Sequence, residues 1–277
     1  MSLGKTFLRD VATNRGLPLR ANNLAIVVAH PDDEAIGIGG SLNRLHGATV
    51  IHLTDGAPCR TDKMFRNGYE TIDSYRLARH GELKAVLDFA GVPGAKQIRF
   101  AFPDQQAWSN LFEIAMRLSG IFLEIDCRLV LTHPYEGGHP DHDAAAFAVR
   151  AACDILMAQH RPPPTIVEMA YYHSVGNSTV YQKFAPGSAS PETVVNLNKH
   201  QQLIKQKMFD LYVSQALVLT NFTTDEERLR IAPSYDFTLL ANHGHILYES
   251  YDWNMSASHW LQLAEKASQQ IARRLAE

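Results

Sequence analysis

Apolar positions along the chain alternate between two periods, and that alternation predicts a layered α/β domain. Leu24 to Ala29 is a short β-branched apolar run that follows Asn22-Asn23 and stops near Pro31, so it reads as a buried parallel strand. Ala35 to Leu45 has helical spacing, and Ala48 to Thr54 is a second strand closed by Asp55-Gly56, which completes a βαβ unit. The pattern then repeats through a polar loop (57–68), a helix over 71–89, a strand over 97–102, a helix over 108–124 and a strand over 128–132. A helix over 143–159, stopped by Pro162-Pro163-Pro164, leads to a fifth strand over 166–172. Beyond a loop over 185–193 rich in Pro, Ser and Gly, the pattern predicts a helix over 194–215, strand-like segments over 237–240 and 245–248, and a last helix over 257–275.

The expected architecture is a Rossmann-like three-layer α/β fold with a mostly parallel sheet and a C-terminal helix/strand cap. Residues 1–22 read as a polar lead-in and 23–277 as a single domain, with the βα core reaching about 184 and the cap running from 194 to 277. No internal repeat interrupts it.

Composition narrows the chemistry. With 277 residues, 45% hydrophobic and 20% charged, the chain has ample material for a packed core, and a formal net charge of -3 offers no basic excess to neutralise a nucleic-acid backbone. A small-molecule partner is expected. Cys59, Cys127 and Cys153 are odd in number, with no Cys-x-x-Cys pair, which argues against a disulfide framework or thiolate zinc site and favours a cytoplasmic setting. No signal-like h-region opens the sequence, and no apolar run approaches the roughly 18 residues of a membrane span.

Two clusters carry the chemical signal. His30-Pro31-Asp32-Asp33-Glu34 lies where a buried strand gives way to a helix, with Pro at the helix start and three carboxylates in the first turn. Helix-dipole preference explains one or two acids there; a bound cation explains the histidine and the crowded carboxylates together. His139-Pro140-Asp141-His142 follows the strand ending at Thr132 and has the same grammar. In a sheet of order 3-2-1-4-5 the first and fourth strands are neighbours, so both turns would meet at the switch point where such sheets bind ligands. Together they offer His30, Asp33 and His142 as nitrogen and oxygen ligands with an open position, as in catalytic zinc sites. Asp32, His139 and Asp141 remain as acid-base groups.

These residues resemble the N-acetylglucosaminyl-phosphatidylinositol de-N-acetylase (PIG-L, LmbE-like) family, whose motifs are Ala-His-Pro-Asp-Asp-Glu and a later His-Pro-Asp-His. The resemblance extends to Arg79-His80-Gly81-Glu82, Phe102-Pro103-Asp104 and Ser214-Gln215, thus over about 24–215; Tyr212 departs from it, standing where the family often carries His. It implies a Rossmann-like deacetylase in which His30, Asp33 and His142 hold Zn2+, with Fe2+ as the alternative ion, and Asp32 is the general base. It further implies that His139 stabilises an oxyanion or protonates the leaving amine, that Asp141 orients an imidazole beside it, and that Arg79 and Asp104 face the substrate.

Weaker features have ordinary explanations beside functional ones. Gly37-Ile38-Gly39-Gly40 fails the dinucleotide spacing because Leu42 stands at the third glycine, and close helix packing accounts for it. Arg79 and Glu82 at helical spacing suit a surface ion pair as well as a substrate contact. His243 and His245 could line the pocket or sit in an exposed loop; Asp55 ends a strand near the site; Tyr135, Trp108 and Phe102 could wall a sugar or fill the core.

The leading functional expectation is hydrolysis of an N-acyl bond, in the first place N-acetyl, on an amino sugar or glycoconjugate, by water activated at the metal with Asp32 as base. A non-haem iron oxygenase would use the same two His and one carboxylate. A metal- or sugar-binding module without catalysis would leave Asp32, His139 and Asp141 without use. The loops over 57–70 and 185–193 and the tail after 215 are where substrate choice is expected to reside.

Overall fold

The computed structural model describes residues 2–13, 19–58, 68–188, 190–251 and 253–276. The chain opens with helix α1 (Leu3–Ala12), which presents Gly4, Leu8 and Val11 on one buried face and packs on the sheet edge, so this part of the expected lead-in is folded. Sequence inspection missed it because a stripe of three small or apolar positions in ten residues is short against the surrounding charge. The two-residue strands β1 (Leu19–Arg20) and β3 (Leu45–His46) pair in parallel. Between them run β2 (Leu24–Val28) and helix α2 (Asp33–Leu42).

The core continues with β4 (Thr49–Pro58), helix α3 (Ile72–Phe89), β5 (Gln97–Asp104), helix α4 (Leu111–Glu124), β6 (Leu129–Thr132), helix α5 (Pro140–Ala158) and β7 (Thr165–Met169). The expected order 3-2-1-4-5 is observed: β5-β4-β2-β6-β7 run side by side, all parallel. β2 is buried over its whole length and alternates, with Ala25 and Val27 facing the core under α4 and α5 and Leu24, Ile26 and Val28 facing the other side. A strand buried on both faces reads as an unbroken apolar run for this reason.

The second half departs from expectation in three places. After Met169 the chain forms a small hairpin, β8 (Tyr172–Val175) with β9 (Ser178–Tyr181). The helix expected over 194–215 begins with strand β10 (Glu192–Asn196), and only then does helix α6 (Lys199–Leu211) start, at an Asn198/Gln201 capping box. The strand-like 237–240 and 245–248 are turns and 3-10 segments; the strand is instead β11 (Glu226–Ile231), antiparallel to both β7 and β10. Its Glu-Glu-Arg-Leu-Arg-Ile sequence looks exposed, but Glu227 and Arg230 are buried with partners, Lys205 and Ser41 for the first, Glu168 and Glu136 for the second.

Seven strands in one mostly parallel sheet are thus covered by α2, α3 and α6 on one face and by α4, α5 and the final helix, which follows a short helix α7 (Ala216–Leu219) and is α8 (Ala257–Ala276), on the other. Gly37 and Gly40 allow the close approach anticipated for them: a Cβ on Gly40 would stand 2.4 Å from Leu197 and one on Gly37 2.7 Å from Met169. Among the described residues no helix is long and apolar enough to cross a membrane. Cys127 and Cys153 are buried free thiols, and Cys59, with most of the 57–70 loop, lies outside the described residues.

Candidate active site

The two turns meet at the carboxyl ends of β2 and β6. Leaving β2, the chain turns at His30-Pro31-Asp32, and Asp32 adopts φ 118°, a conformation that side chains seldom occupy. The strain is held by neighbours. Asp33 Oδ2 accepts the His30 backbone N–H at 2.7 Å, and Glu34 Oε2 accepts that of Asp32 at 3.2 Å. Glu34 is fixed in turn by His52 Nε2 at 2.9 Å and by the Tyr212 hydroxyl, which donates at 2.5 Å. Tyr212, where the resembling family often carries His, therefore buttresses Glu34 from the end of α6.

The second turn is built by glycine and proline. Gly138 lies so close to the Tyr172 carbonyl that a Cβ would stand 2.1 Å from it, and Gly137 takes φ +68°. Asp143 Oδ1 accepts the Gly137 N–H at 3.0 Å, and Pro140 occupies the first turn of α5. His139 is the N-cap, its Nδ1 accepting the Asp141 N–H at 3.1 Å, which starts α5 three residues earlier than expected.

Every expected ligand and acid-base residue falls in one buried cluster. His30 Nδ1 lies 3.3 Å from Asp33 Oδ2, and His30 Nε2 lies 3.0 Å from Asp104 and 3.3 Å from Asp141. His142 Nε2 lies 3.4 Å from Asp33 Oδ1, and the His30, His139 and His142 rings are mutually adjacent, with centroids 4.5 to 5.3 Å apart. Burial would lower the His30 pKa, yet Asp104, Asp141 and Asp33 outweigh it and hold it well above the usual value. Burial would raise Asp33, but His142 and His133 hold its carboxyl well below. For Asp32 burial prevails over the Arg79 guanidinium, and the carboxyl is pushed up to about 7.

Four residues make contacts that the sequence did not specify. Arg79 is 1% exposed, donates to the Pro31 carbonyl, lies 3.2 Å from Asp32 and 3.6 Å from Glu82, and packs over the Tyr212 ring. Glu82 also accepts from the Ser214 amide and hydroxyl, each at 2.7 Å, which explains the Ser-Gln pair as part of this support. Asp141 orients an imidazole, but with its carboxylate that imidazole is His30; only its amide addresses His139. His139 is pushed well below the usual histidine value by burial and by His30 and His142, so it is a neutral ring with Nδ1 accepting and the proton on Nε2. Asp104 joins the cluster between His30 and His139, 3.9 Å from the latter.

The remaining candidates follow their ordinary readings. Asp55 is tied to Arg76 at 2.6 Å and His243 and His245 are exposed. Tyr135 is in the core, its hydroxyl donating to the Leu239 carbonyl, and Phe102, partly buried, packs against the same core cluster. Trp108, half-buried, reaches the site through its amide, 3.4 Å from Asp141 Oδ1.

His133 was missed. It directly follows β6, is fully buried, stacks on His142 at 4.0 Å and lies 3.4 Å from Asp33. Its place at the end of the strand beside the switch point was the available signal. Its Nε2 accepts the Ala29 N–H at 3.0 Å, so that nitrogen is committed to the backbone. Burial, together with His142, pushes its pKa down to about 3.

Three overlapping groups have donor atoms close enough to share a cation: His30, His139 and His142; Asp33, His133 and His142; and His30, Asp104 and Asp141. The donor set suits a divalent ion: Asp32, Asp33, Asp104 and Asp141 are buried together, with Arg79 the one fixed cation beside them among the described residues, a charge imbalance that low-dielectric surroundings penalise.

The fold and this centre define an α/β domain of the Rossmann-like kind with a His/Asp cluster at its switch point. Residues 25–153 match the family described as PIG-L: GlcNAc-PI de-N-acetylase. Among curated relatives the chain is 25% identical over 143 residues to the "Probable N-acetyl-alpha-D-glucosaminyl L-malate deacetylase 2" of Bacillus cereus, covering 50% of this chain and 64% of that protein. It is 30% identical over 173 residues to the 1D-myo-inositol 2-acetamido-2-deoxy-alpha-D-glucopyranoside deacetylase of Tsukamurella paurometabola, covering 50% of this chain and 57% of that protein. The chain thus spans less than two thirds of either relative. The fold is similar to that of teicoplanin deacetylase Orf2, with TM-score 0.56 and 19% identity over 77% of this chain and 99% of the other. It is similar also to the N,N'-diacetylchitobiose deacetylase of Pyrococcus horikoshii, with TM-score 0.53 and 18% identity over 84% and 94%.

Proposed function

We propose that this chain is a metal-dependent N-deacetylase that hydrolyses the N-acyl, in the first place N-acetyl, bond of an amino sugar or glycoconjugate. The observation that carries this reading is the convergence of the two His-Pro-Asp turns into one buried cluster with more proton-handling groups than a cation needs. The names of the two curated relatives, both deacetylases of N-acetylated glucosamine derivatives, support the same reaction class.

Hydrogen bonding divides the roles. His133 is committed through Nε2 to the Ala29 amide, and His139 carries its proton on Nε2, so neither offers a free lone pair there. As the family resemblance implies, His30, Asp33 and His142 are the residues that would hold Zn2+, or Fe2+ as the alternative with the same preference for nitrogen and oxygen donors, and the ion would take the place of the proton that the neighbouring carboxylates hold on His30. Such an ion supplies Lewis acidity that polarises the acyl carbonyl and acidifies water. Asp32 sits on the strained turn beside them, and a carboxylate whose pKa lies near 7 is suited to accept a proton at neutral pH. Neutral His139 directs an N–H into the site and so donates to the oxygen on which charge develops as the carbonyl carbon becomes tetrahedral. Asp104 and Asp141 hold His30 between them. Arg79 keeps Asp32 in place by binding the preceding carbonyl and the carboxylate together.

The test is acetate release from N-acetylated amino sugars by the metal-loaded protein and its Asp32→Asn variant. The variant should retain bound metal and lose about 100-fold or more in kcat. Near-normal turnover would refute Asp32 as the base, and oxygen-dependent turnover by an iron form, with no acetate from any substrate, would favour the oxygenase alternative.

A further inference from the structure

Two aromatic walls rise from the site imidazoles to the surface. On one side the Trp253 ring lies 4.6 Å from His139, and Tyr251 stacks on Trp253 at 4.5 Å with an interplanar angle of 18°. On the other, Tyr172 lies 5.3 Å from His142 and packs against Tyr181, 5.9 Å away, in the β8–β9 hairpin. The Tyr251 phenol is near enough to be among the groups that raise the Tyr172 and Tyr181 pKa values, which makes the two walls neighbours.

The Tyr251–Trp253 wall is anchored. Leu247 donates its N–H to the Gly137 carbonyl at 2.8 Å, which ties this segment to the loop carrying His139, and Glu249 Oε1 accepts the Ala257 N–H at 2.7 Å at the head of α8. Trp253 donates its N–H to the Tyr251 carbonyl at 2.9 Å. Tyr251 is nevertheless 43% exposed, and beyond it opens a groove lined by Tyr251, Asn254, Met255, Ser256 and His259. A ring that is held flat and stacked, yet leaves much of itself in water beside a reactive centre, is pre-organised to cover a flat ligand.

We propose that Tyr251 and Trp253, facing Tyr172 and Tyr181, form a subsite for the group attached to the N-acetylated sugar, and that this group presents a flat, uncharged face: an aromatic ring or a second sugar ring. The subsite rests on the deacetylase reading for its substrate and on the ring geometry for its chemistry. The consequence is a preference for an N-acetylglucosaminide with such an aglycone over free N-acetylglucosamine.

Binding is measured by isothermal titration on the metal-loaded protein, and acetate release in parallel, with three probes: N-acetylglucosamine, its p-nitrophenyl β-glycoside and N,N'-diacetylchitobiose. The expected result is a preference of about ten-fold or more for at least one of the two larger probes, the magnitude stacking on an aromatic platform provides; which of them gains identifies the aglycone as aryl or glycosyl. Tyr251→Ala should reduce that preference about five-fold or more and leave kcat and KM for free N-acetylglucosamine within about two-fold. Tyr251→Phe should restore the preference, since it keeps the ring and loses only the hydroxyl. Equal binding of all three probes, absence of binding by any, or a Tyr251→Ala variant that weakens all equally overturns the subsite. Preferential binding of a larger probe with no acetate released from any keeps the subsite and refutes the deacetylase reading.

Discussion

Replacing Arg79 by Met is the sharpest check on the reasoning, because the sequence also allowed Arg79 and Glu82 to be a surface ion pair worth a few tenths of a kcal/mol. In the structure the guanidinium is 1% exposed, holds the Pro31 carbonyl, and faces Asp32 at 3.2 Å and Glu82 at 3.6 Å. Met fills similar volume but leaves two buried carboxylates without their cation. Removing one partner of such a buried pair costs about 3–5 kcal/mol. For a domain of this size each kcal/mol shifts Tm by roughly 2–4 °C, so the variant should melt about 6–20 °C lower. Urea unfolding of the metal-free protein at fixed pH, followed by circular dichroism, measures the loss directly. Arg79→Lys should recover only part of it, since one ammonium cannot reproduce the fork that grips a carbonyl and a carboxylate together. A loss for Arg79→Met below about 1 kcal/mol would return Arg79 to the surface-pair reading and remove the support assigned to Asp32.

Two further outcomes follow from buried charge. Burial pushes the Glu136 carboxyl up to about 7 despite the adjacent Arg230, so the folded chain binds this proton more tightly than the unfolded one. The stability it confers is present in full below the ordinary Glu value near 4.5 and is lost as pH rises through about 7, up to about 3 kcal/mol in all. Glu136→Gln should therefore show a flatter dependence of Tm on pH between about 5 and 8 than the parent chain; parallel curves would contradict it. Adding Zn2+ to metal-free protein should raise stability by about 2.7 kcal/mol at a hundred times its Kd, and Asp33→Ala should abolish that gain; an unchanged shift in the variant would place the ion elsewhere.

What was legible in the sequence is what depends on local pattern. The five parallel strands, their order and the two His-Pro-Asp turns follow from apolar runs that must be buried on both faces and from proline at helix starts. His30, Asp33 and His142, with Asp32, His139 and Asp141, could be gathered into one site before any coordinates, because the topology brings the ends of the first and fourth strands together. Whatever depends on partners distant in sequence was not legible. β11 was hidden by charges that only Lys205, Ser41, Glu168 and Glu136 neutralise. The enclosure of Arg79 by Pro31, Asp32 and Ser214 depends on residues far from it in sequence. The charge state of His139, the commitment of His133 to a backbone amide and the aromatic walls of the mouth are likewise set by tertiary contact. The sequence by itself determined which chemistry was assembled. Only the tertiary structure decided which groups are buried, paired or left facing the opening, because burial and pairing depend on neighbours that the chain brings together from far along its length.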